Sequence, residues 1–284
     1  MKYALFLGCT TPYRLKAYEL SSRAILKNLG VELKDIPQFN CCGYPFRNID
    51  VKAFVLASAR NFALANRQAL GILVLCKCGY GTMKKAAHLL TEDASLRKDI
   101  NAVLAKEGLR CDPGIEIVHL LTVLQKKVGI DRIKKSIARP YNNLKIATHY
   151  GCHALRPSDI VEFDDPVNPT IFDELVTITG AESIDWPNKF ECCGGPLYGV
   201  NKDLSADLTR KKMAGAKQGE AHYLTTACPF CQIQFETISG ESPTDNQVPS
   251  IVYPQLLGIS MGLDTHTLGM DNGHVGRVKH LMES

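Results

Sequence analysis

A chain of 284 residues that is 45% hydrophobic can bury a substantial core, as one large domain or as two lobes of ordinary size, and needs no covalent staples to fold. Its formal net charge of +4 is too small to argue for nucleic acid. No uninterrupted apolar run approaches the ~20 residues that cross a bilayer, since even "SIVYPQLLGISMGL" is short and contains Pro254. The chain has eleven cysteines, and its opening, "MKYALFLGC", has an apolar run of only about six residues against the usual 7–15 of a secretory signal, so a cytoplasmic protein with free thiols is expected rather than a disulfide scaffold.

In chain order, "KYALFLG" reads as a buried strand ending at Cys9, and "YELSSRAILKNLG" as a helix with Leu20, Ala24, Leu26 and Leu29 at helical spacing and Gly30 as C-cap. "VELKDI" begins a second strand. After Cys41 and Cys42, "VKAFVLASARNFALANRQALG" is a long helix, and "ILVL" is a strand running into Cys76. A segment from about 81 to 140 ("YGTMKKAAHLL", "SLRKDINAVLAKEG", "IVHLLTVLQKKVG") is expected to be mostly helical.

The second half repeats the order: "KIATHYG" into Cys152, a helix over "PTIFDELVTITG", a strand near "AESID", then Cys192 and Cys193. A helix over "DLSADLTRKKMAGAKQG", the strand "AHYLTTA", and Cys228 with Cys231 at a strand-to-helix turn complete it. The chain is therefore an internal duplication. The fold class is α/β, with two pseudo-symmetric Rossmann-like lobes of parallel sheet, residues 1–140 and 141–284, and cysteines at the carboxyl ends of strands, where ligands of such sheets gather. "DRIKKSIAR" and "TRKKMAGAK" read as solvated basic helix faces, and the tail after Gly262, which lacks a clear period, as a segment that wraps the body or contacts a partner.

Written as spacings, the halves are Cys9, thirty-one residues, Cys41-Cys42, thirty-three residues, Cys76-Lys-Cys78; and Cys152, thirty-nine residues, Cys192-Cys193, thirty-four residues, Cys228-Pro-Phe-Cys231. Each half owns five cysteines, one more than a tetrahedral zinc site or an ordinary cubane cluster takes. Thiolates are soft ligands that select iron–sulfur clusters, zinc or cuprous copper. Gly43, Gly194 and Gly195 let the backbone approach such a group, with N–H groups free to bond its sulfurs. "TACPFCQ" also resembles a glutaredoxin-like dithiol, but a dithiol has no use for Cys152, Cys192 and Cys193. Cys111 belongs to neither set and reads as a plain, partly buried cysteine; His149 reads as structural, and Lys77 and Arg156 as exposed side chains beside the loops.

The stretches "FLGCTTPYR", "NCCGYPFRNID", "HYGCHALRPSDIVEFDDPVNPT", "FECCGGPL", "TACPFCQIQFE" and "YPQLLGISMGL" resemble the cysteine-rich CCG-domain family, and within it the B subunit of heterodisulfide reductase. In that family each CCG motif holds a noncubane [4Fe-4S] cluster through five cysteines, and the two clusters face each other across the site where a disulfide is split. Carried over by position, the resemblance implies a second cluster on Cys152, Cys192, Cys193, Cys228 and Cys231. It implies a first on Cys9, Cys41, Cys42 and Cys76, with Cys78 one place early and Gly79 where the last ligand would stand, so the type of the first cluster is left open.

The resemblance further implies a catalytic iron–sulfur subunit that reduces a small-molecule disulfide, fed by a ferredoxin-type iron–sulfur subunit and a flavoprotein subunit. No dinucleotide fingerprint or phosphate loop occurs here, so flavin and nicotinamide chemistry would sit in partners. His153, beside Cys152, is the candidate catalytic residue, a histidine able to protonate a leaving thiolate or to bond a cluster sulfur. The alternatives are a non-catalytic electron relay in a larger oxidoreductase, as in lactate or glycolate oxidation systems, and a zinc-stabilised binding module, which adjacent cysteines in five-thiol sets disfavour.

Overall fold

The computed structural model describes residues 1–241 and 247–270. The apolar run "YALF" forms β1 (Lys2–Phe6), and its four apolar side chains are all buried because helices cover both faces of the sheet. β1 lies between β2 (Glu32–Lys34) and β3 (Gly71–Val74), and β3 carries β4 (Ile117–His119) at the edge, every pairing parallel. The second half lays down β5 (Lys145–His149), β6 (Glu182–Ile184), β7 (Tyr223–Thr226) and β8 (Ser250–Val252) in the same parallel order, β6-β5-β7-β8 beside β2-β1-β3-β4. Register reinforces the repeat: Phe6 pairs with Val74 where His149 pairs with Thr226.

The helices that matter for the site are α1 (Lys16–Asn28), α2 (Val51–Asn66), α3 (Lys77–Glu92), α4 (Ile171–Thr177), α5 (Lys202–Gln218), α6 (Pro229–Glu241) and α7 (Tyr253–Ser260). α2 and α5 are matching elements. Each starts at an Asp or Asn cap, Asp50 accepting from the Ala53 amide at 2.9 Å and Asn201 from the Leu204 amide at 3.0 Å.

The segment expected to be mostly helical carries β4, because the β-branched pair Ile117 and Val118 is buried against β3 and finds its backbone partners there. The rest of the segment is helical as expected, over Lys77–Glu92, Ala94–Leu104 and again from Leu120, so only the start of "IVHLLTVLQKKVG" departs. β8 is hidden likewise inside "SIVYPQLLGISMGL", where its apolar residues run without a break into those of the helix that starts at Tyr253. The "TRKKMAGAK" run is not a solvated face throughout: Lys211 is exposed, whereas Lys212 is fully buried.

The lobes meet along α3. Gly81 lies so close to the loop after β5 that a Cβ on it would stand 2.6 Å from the His153 carbonyl oxygen, and its neighbour Tyr80 donates to the Val161 carbonyl at 2.5 Å. His119 is fully buried. Its Nδ1 accepts from the Leu121 amide at 3.2 Å, which leaves Nε2 to donate to the Ala227 carbonyl at 3.1 Å, and burial brings its pKa down to about 3. The expected effect of Gly81→Ala is a loss of about 1–3 kcal/mol, the usual cost of overpacking a closed contact. Calorimetry on the full chain would then show a melting point lower by several degrees, and an unchanged value would mean that α3 can shift freely.

α7 returns to the first lobe. It packs on α1, and its last residue, Ser260, accepts from the Ala138 and Arg139 amides at 2.9 and 2.8 Å. Leu268 and Met270 are buried as well, so the described part of the tail does wrap the body; residues 271–284 lie outside the described residues.

Candidate metal centre

Each thiol set is assembled at three loop positions that follow a strand. Gly8 (φ +71°) turns the chain out of β1 and leaves Cys9 exposed, while Gly151 (φ +75°) makes the matching turn before Cys152, which is half-buried. The adjacent pairs sit on matched turns. Gly43 (φ +89°) and Gly194 (φ +86°) tolerate no side chain: a Cβ on Gly43 would be 2.6 Å from the Phe54 carbonyl oxygen, and one on Gly194 would strike that of Ser205. The amides of these glycines point at Cys41 Sγ and Cys192 Sγ, each at 3.4 Å. Behind the pairs, Ser58 donates to the Cys42 carbonyl and Thr209 to the Cys193 carbonyl, both at 2.7 Å.

At the third position the lobes differ. Cys76 and Cys228 both directly precede a helix, so Lys77, Cys78 and Gly79 occupy the places of Pro229, Phe230 and Cys231. Cys78 therefore projects where the second lobe has Phe230, and the place of Cys231 is empty of a side chain. The consequence is an exchange across the seam. Cys76, Cys78 and Cys228 gather their sulfurs within 4.8 Å of one another, and Cys78 Sγ lies 3.2 Å from His153 Nδ1, while Phe230 crosses into the wall of the first site.

The first site is a cavity of about 230 Å³ lined by Cys9, Cys41, Cys42, Cys76 and Cys78 together with apolar Phe6, Leu7 and Phe230. Several times the ~30 Å³ share of one water, this space suits a polynuclear group better than a single ion. Around Cys152, Cys193, Cys228 and Cys231 the side chains close more tightly, leaving about 10 Å³, and Cys78, His149, His153 and Lys77 share that lining. All ten predicted cysteines are thus on one seam, and Cys78 lines both spaces. Cys111 stands apart, buried near Asn101, with its thiol pushed up to about 12 by burial.

Hydrogen bonding among the thiols favours the thiolate form at two sulfurs. The Cys152 and Cys193 thiols donate to Cys192 and hold its pKa far below the usual thiol range. Burial opposes ionisation of Cys228, yet donation from Cys231, Cys76 and Cys78 still leaves it low. Two buried lysines answer this charge. Lys77 is 1% exposed, donates to the His149 carbonyl at 3.0 Å and lies 4.9 Å from the centre of the Phe172 ring; burial lowers its pKa to about 8 against the pull of Cys228 and Cys231. Lys212 is fully buried, donates to the Asn188 carbonyl and lies 4.8 Å from the Trp186 ring, its pKa likewise brought by burial to about 8.

Neither lysine is evident as buried from sequence, where Lys77 reads as an exposed side chain; Arg156 is exposed as expected. The signal for Lys212 is present in the duplication, because α2 carries Asn61 at the matching place, and there Asn61 accepts from the Asn40 amide at 2.9 Å to brace the first pair. Soft thiols in two sets, amides aimed at sulfur, and buried ammonium groups together fit iron–sulfur groups and offer little to a hard cation.

Two parallel α/β lobes that bring duplicated cysteine pairs to a common seam define a class of paired, thiol-rich metal-binding domains. The chain belongs to the cysteine-rich (CCG) domain family, whose model matches residues 3–84 and 146–236. It is similar to the B subunit of the ferredoxin:CoB-CoM heterodisulfide reductase of Methanosarcina mazei, 32% identical over 288 residues that cover 99% of this chain and 96% of that protein. It is also similar to a protein of Archaeoglobus profundus named for its likeness to the heterodisulfide reductase B subunit, 30% identical over 93% of this chain and 92% of the other. The 8-methylmenaquinol:fumarate reductase membrane anchor subunit of Wolinella succinogenes is 30% identical over 98% of both. Among solved structures, a hypothetical protein from Helicobacter pylori superposes with a TM-score of 0.71 at 20% identity, over 95% of this chain and 51% of that one, and bears out the two-lobed fold alone. No helix among the described residues is long and apolar enough to cross a membrane.

Proposed function

We propose that this chain is the iron–sulfur subunit of a reductase complex and reduces a small-molecule disulfide at the seam between its two thiol sets. The observation that carries this reading is the meeting of Cys76 and Cys78 of one lobe with Cys228 of the other, which sets the two sites side by side instead of at opposite ends of the molecule. The relatives named for the heterodisulfide reductase B subunit support it. Cys152, Cys192, Cys193, Cys228 and Cys231 would hold the second cluster, and Cys9, Cys41, Cys42 and Cys76 the first. Bound there, the clusters would supply single-electron steps and iron with affinity for sulfur.

The chain's own residues position, seal and protonate. Reduction of a disulfide to two thiols consumes two electrons and two protons. His153 Nδ1, 3.2 Å from Cys78 Sγ and 3.9 Å from Cys152 Sγ, stands where one departing thiolate would take its proton, and Tyr44 packs edge-on against the ring at 5.3 Å. Phe6, Pro229 and Phe230 give the first cavity an apolar wall. Electrons would arrive from a ferredoxin-type iron–sulfur subunit, itself served by a flavoprotein. A groove of about 530 Å³ that runs from Tyr13 and Arg23 to Cys9 and Cys41 gives such a partner its approach.

A relay without disulfide chemistry is the second reading, favoured by the Wolinella relative, which is named as part of a fumarate reductase, and by Gly79 in place of a fifth thiol. Anaerobic full-length protein with a low-potential donor decides between them. Disulfide reduction, lost in His153→Phe with iron content retained, is expected; electron passage to a partner subunit with every disulfide left intact would establish the relay instead.

A further inference from the structure

His149 ends β5 with its ring wholly buried, and among the described residues neither ring nitrogen has a hydrogen-bond partner. Buried polar groups are nearly always paired, and a neutral imidazole carries at least one N–H. His119, buried to the same degree, uses both of its nitrogens. A ring nitrogen of His149 lies with Cys193 Sγ and Cys231 Sγ inside a circle of atoms all within 4.8 Å of one another. Gly151 keeps that space open: a Cβ on it would stand 3.7 Å from Nε2 and 3.9 Å from Cys231 Sγ. The ring is held there, edge-on to Phe235 at 5.2 Å, while Lys77 anchors the backbone behind it through the His149 carbonyl at 3.0 Å.

We propose that His149 is a positioning residue of the second thiol set, donating a ring N–H to sulfur of the group held there and setting that group's reduction potential. The proposal rests on the reading that the second set holds an iron–sulfur cluster. An N–H bond to sulfur stabilises the reduced, more negative form and so raises the potential. The first lobe has no counterpart, because register puts Phe6 at the place of His149, and Phe6 lines the first cavity. The bond thereby gives the second site an upward contribution to its potential that the first, built on the same fold, lacks.

The test uses full-length protein purified anaerobically in a Cys41→Ser, Cys42→Ser background, so that only the second set contributes a signal. With nitrogen-15 histidine, pulsed electron paramagnetic resonance of the reduced protein should show a weak coupling. His149→Phe, which installs the side chain of the first lobe, should abolish that coupling and lower the midpoint potential, and His149→Gln, which keeps an N–H donor, should recover part of the shift. Protein that binds no iron would overturn the cluster reading itself. Iron-bearing protein without the coupling, or with a coupling and midpoint that survive His149→Phe and so belong to His153, would overturn the role of His149 alone. Where His149→Phe fails to retain iron, the labelled parent protein and the His149→Gln midpoint decide the same point.

Discussion

The double substitution Cys192→Ser, Cys193→Ser is expected to strip the second site of metal while the first keeps its own. Cys192 is the acceptor of the thiol donors Cys152 and Cys193, and Cys193 is in turn bonded to Cys231, so removing both sulfurs takes out the middle of the set. Serine fills nearly the same volume and leaves the Gly194 turn and the Thr209 bond to the residue 193 carbonyl in place. The fold should therefore survive with a lower melting point, since a group bound only by the native state no longer stabilises it. Iron assay and visible absorbance of the full chain, alongside circular dichroism, check this; iron content equal to that of the parent would mean that the adjacent pair is not a ligand pair.

Gly79→Cys is expected to give the first site its missing fifth thiol. A Cβ on Gly79 meets only ordinary contacts, Val74 Cγ1 at 3.5 Å, Cys76 Cβ at 3.6 Å and Phe6 Cε1 at 3.7 Å, so the helix need not move. Replacing a helical glycine also relieves part of its ~1 kcal/mol propensity penalty. In the Cys192→Ser, Cys193→Ser background the remaining paramagnetic signal should change and the bound iron should be held more firmly against chelators. A signal and chelation rate identical to those of the parent would show that position 79 does not face the cluster.

Much of this architecture can be read from the residues, because its repeat is written twice. Apolar runs ending at Cys9, Cys76, Cys152 and Cys228 mark strands where strands occur, and helical spacing after the CC pairs marks α2 and α5. What escapes is short or crosses the seam. β4 and β8 are three residues each and run straight into apolar helical stretches at Leu120 and Tyr253, whereas the equally short β2 and β6 are set off by Gly30 and Pro37 and by Gly180 and Pro187. Lys77 looks exposed in a sequence that places it between two loop cysteines, and only the approach of the other lobe buries it under Phe172. The same approach turns Cys78 towards His153 and Cys228, a pairing across 75 and 150 residues that no local pattern encodes. His149 reads as structural because a strand-end histidine is unremarkable until the matching strand of the first lobe is found to carry Phe6 at the same register.

The return of α7 to α1 has a consequence for how the protein is made. A ribosome releases the first lobe long before residues 253–270, yet those residues supply the cover for α1, with Leu256, Leu257 and Leu268 fully buried and Gly269 so near Ala17 that a Cβ would come within 2.8 Å of its Cα. Until those residues emerge, the lobe that carries Cys9, Cys41 and Cys42 lacks the cover that α7 lays on the buried face of α1, with Ile25 and Leu26 left in water. A nascent chain stalled at the second cysteine pair would therefore present the thiols of the first set in a half-closed site, open to oxidation and to the wrong metal.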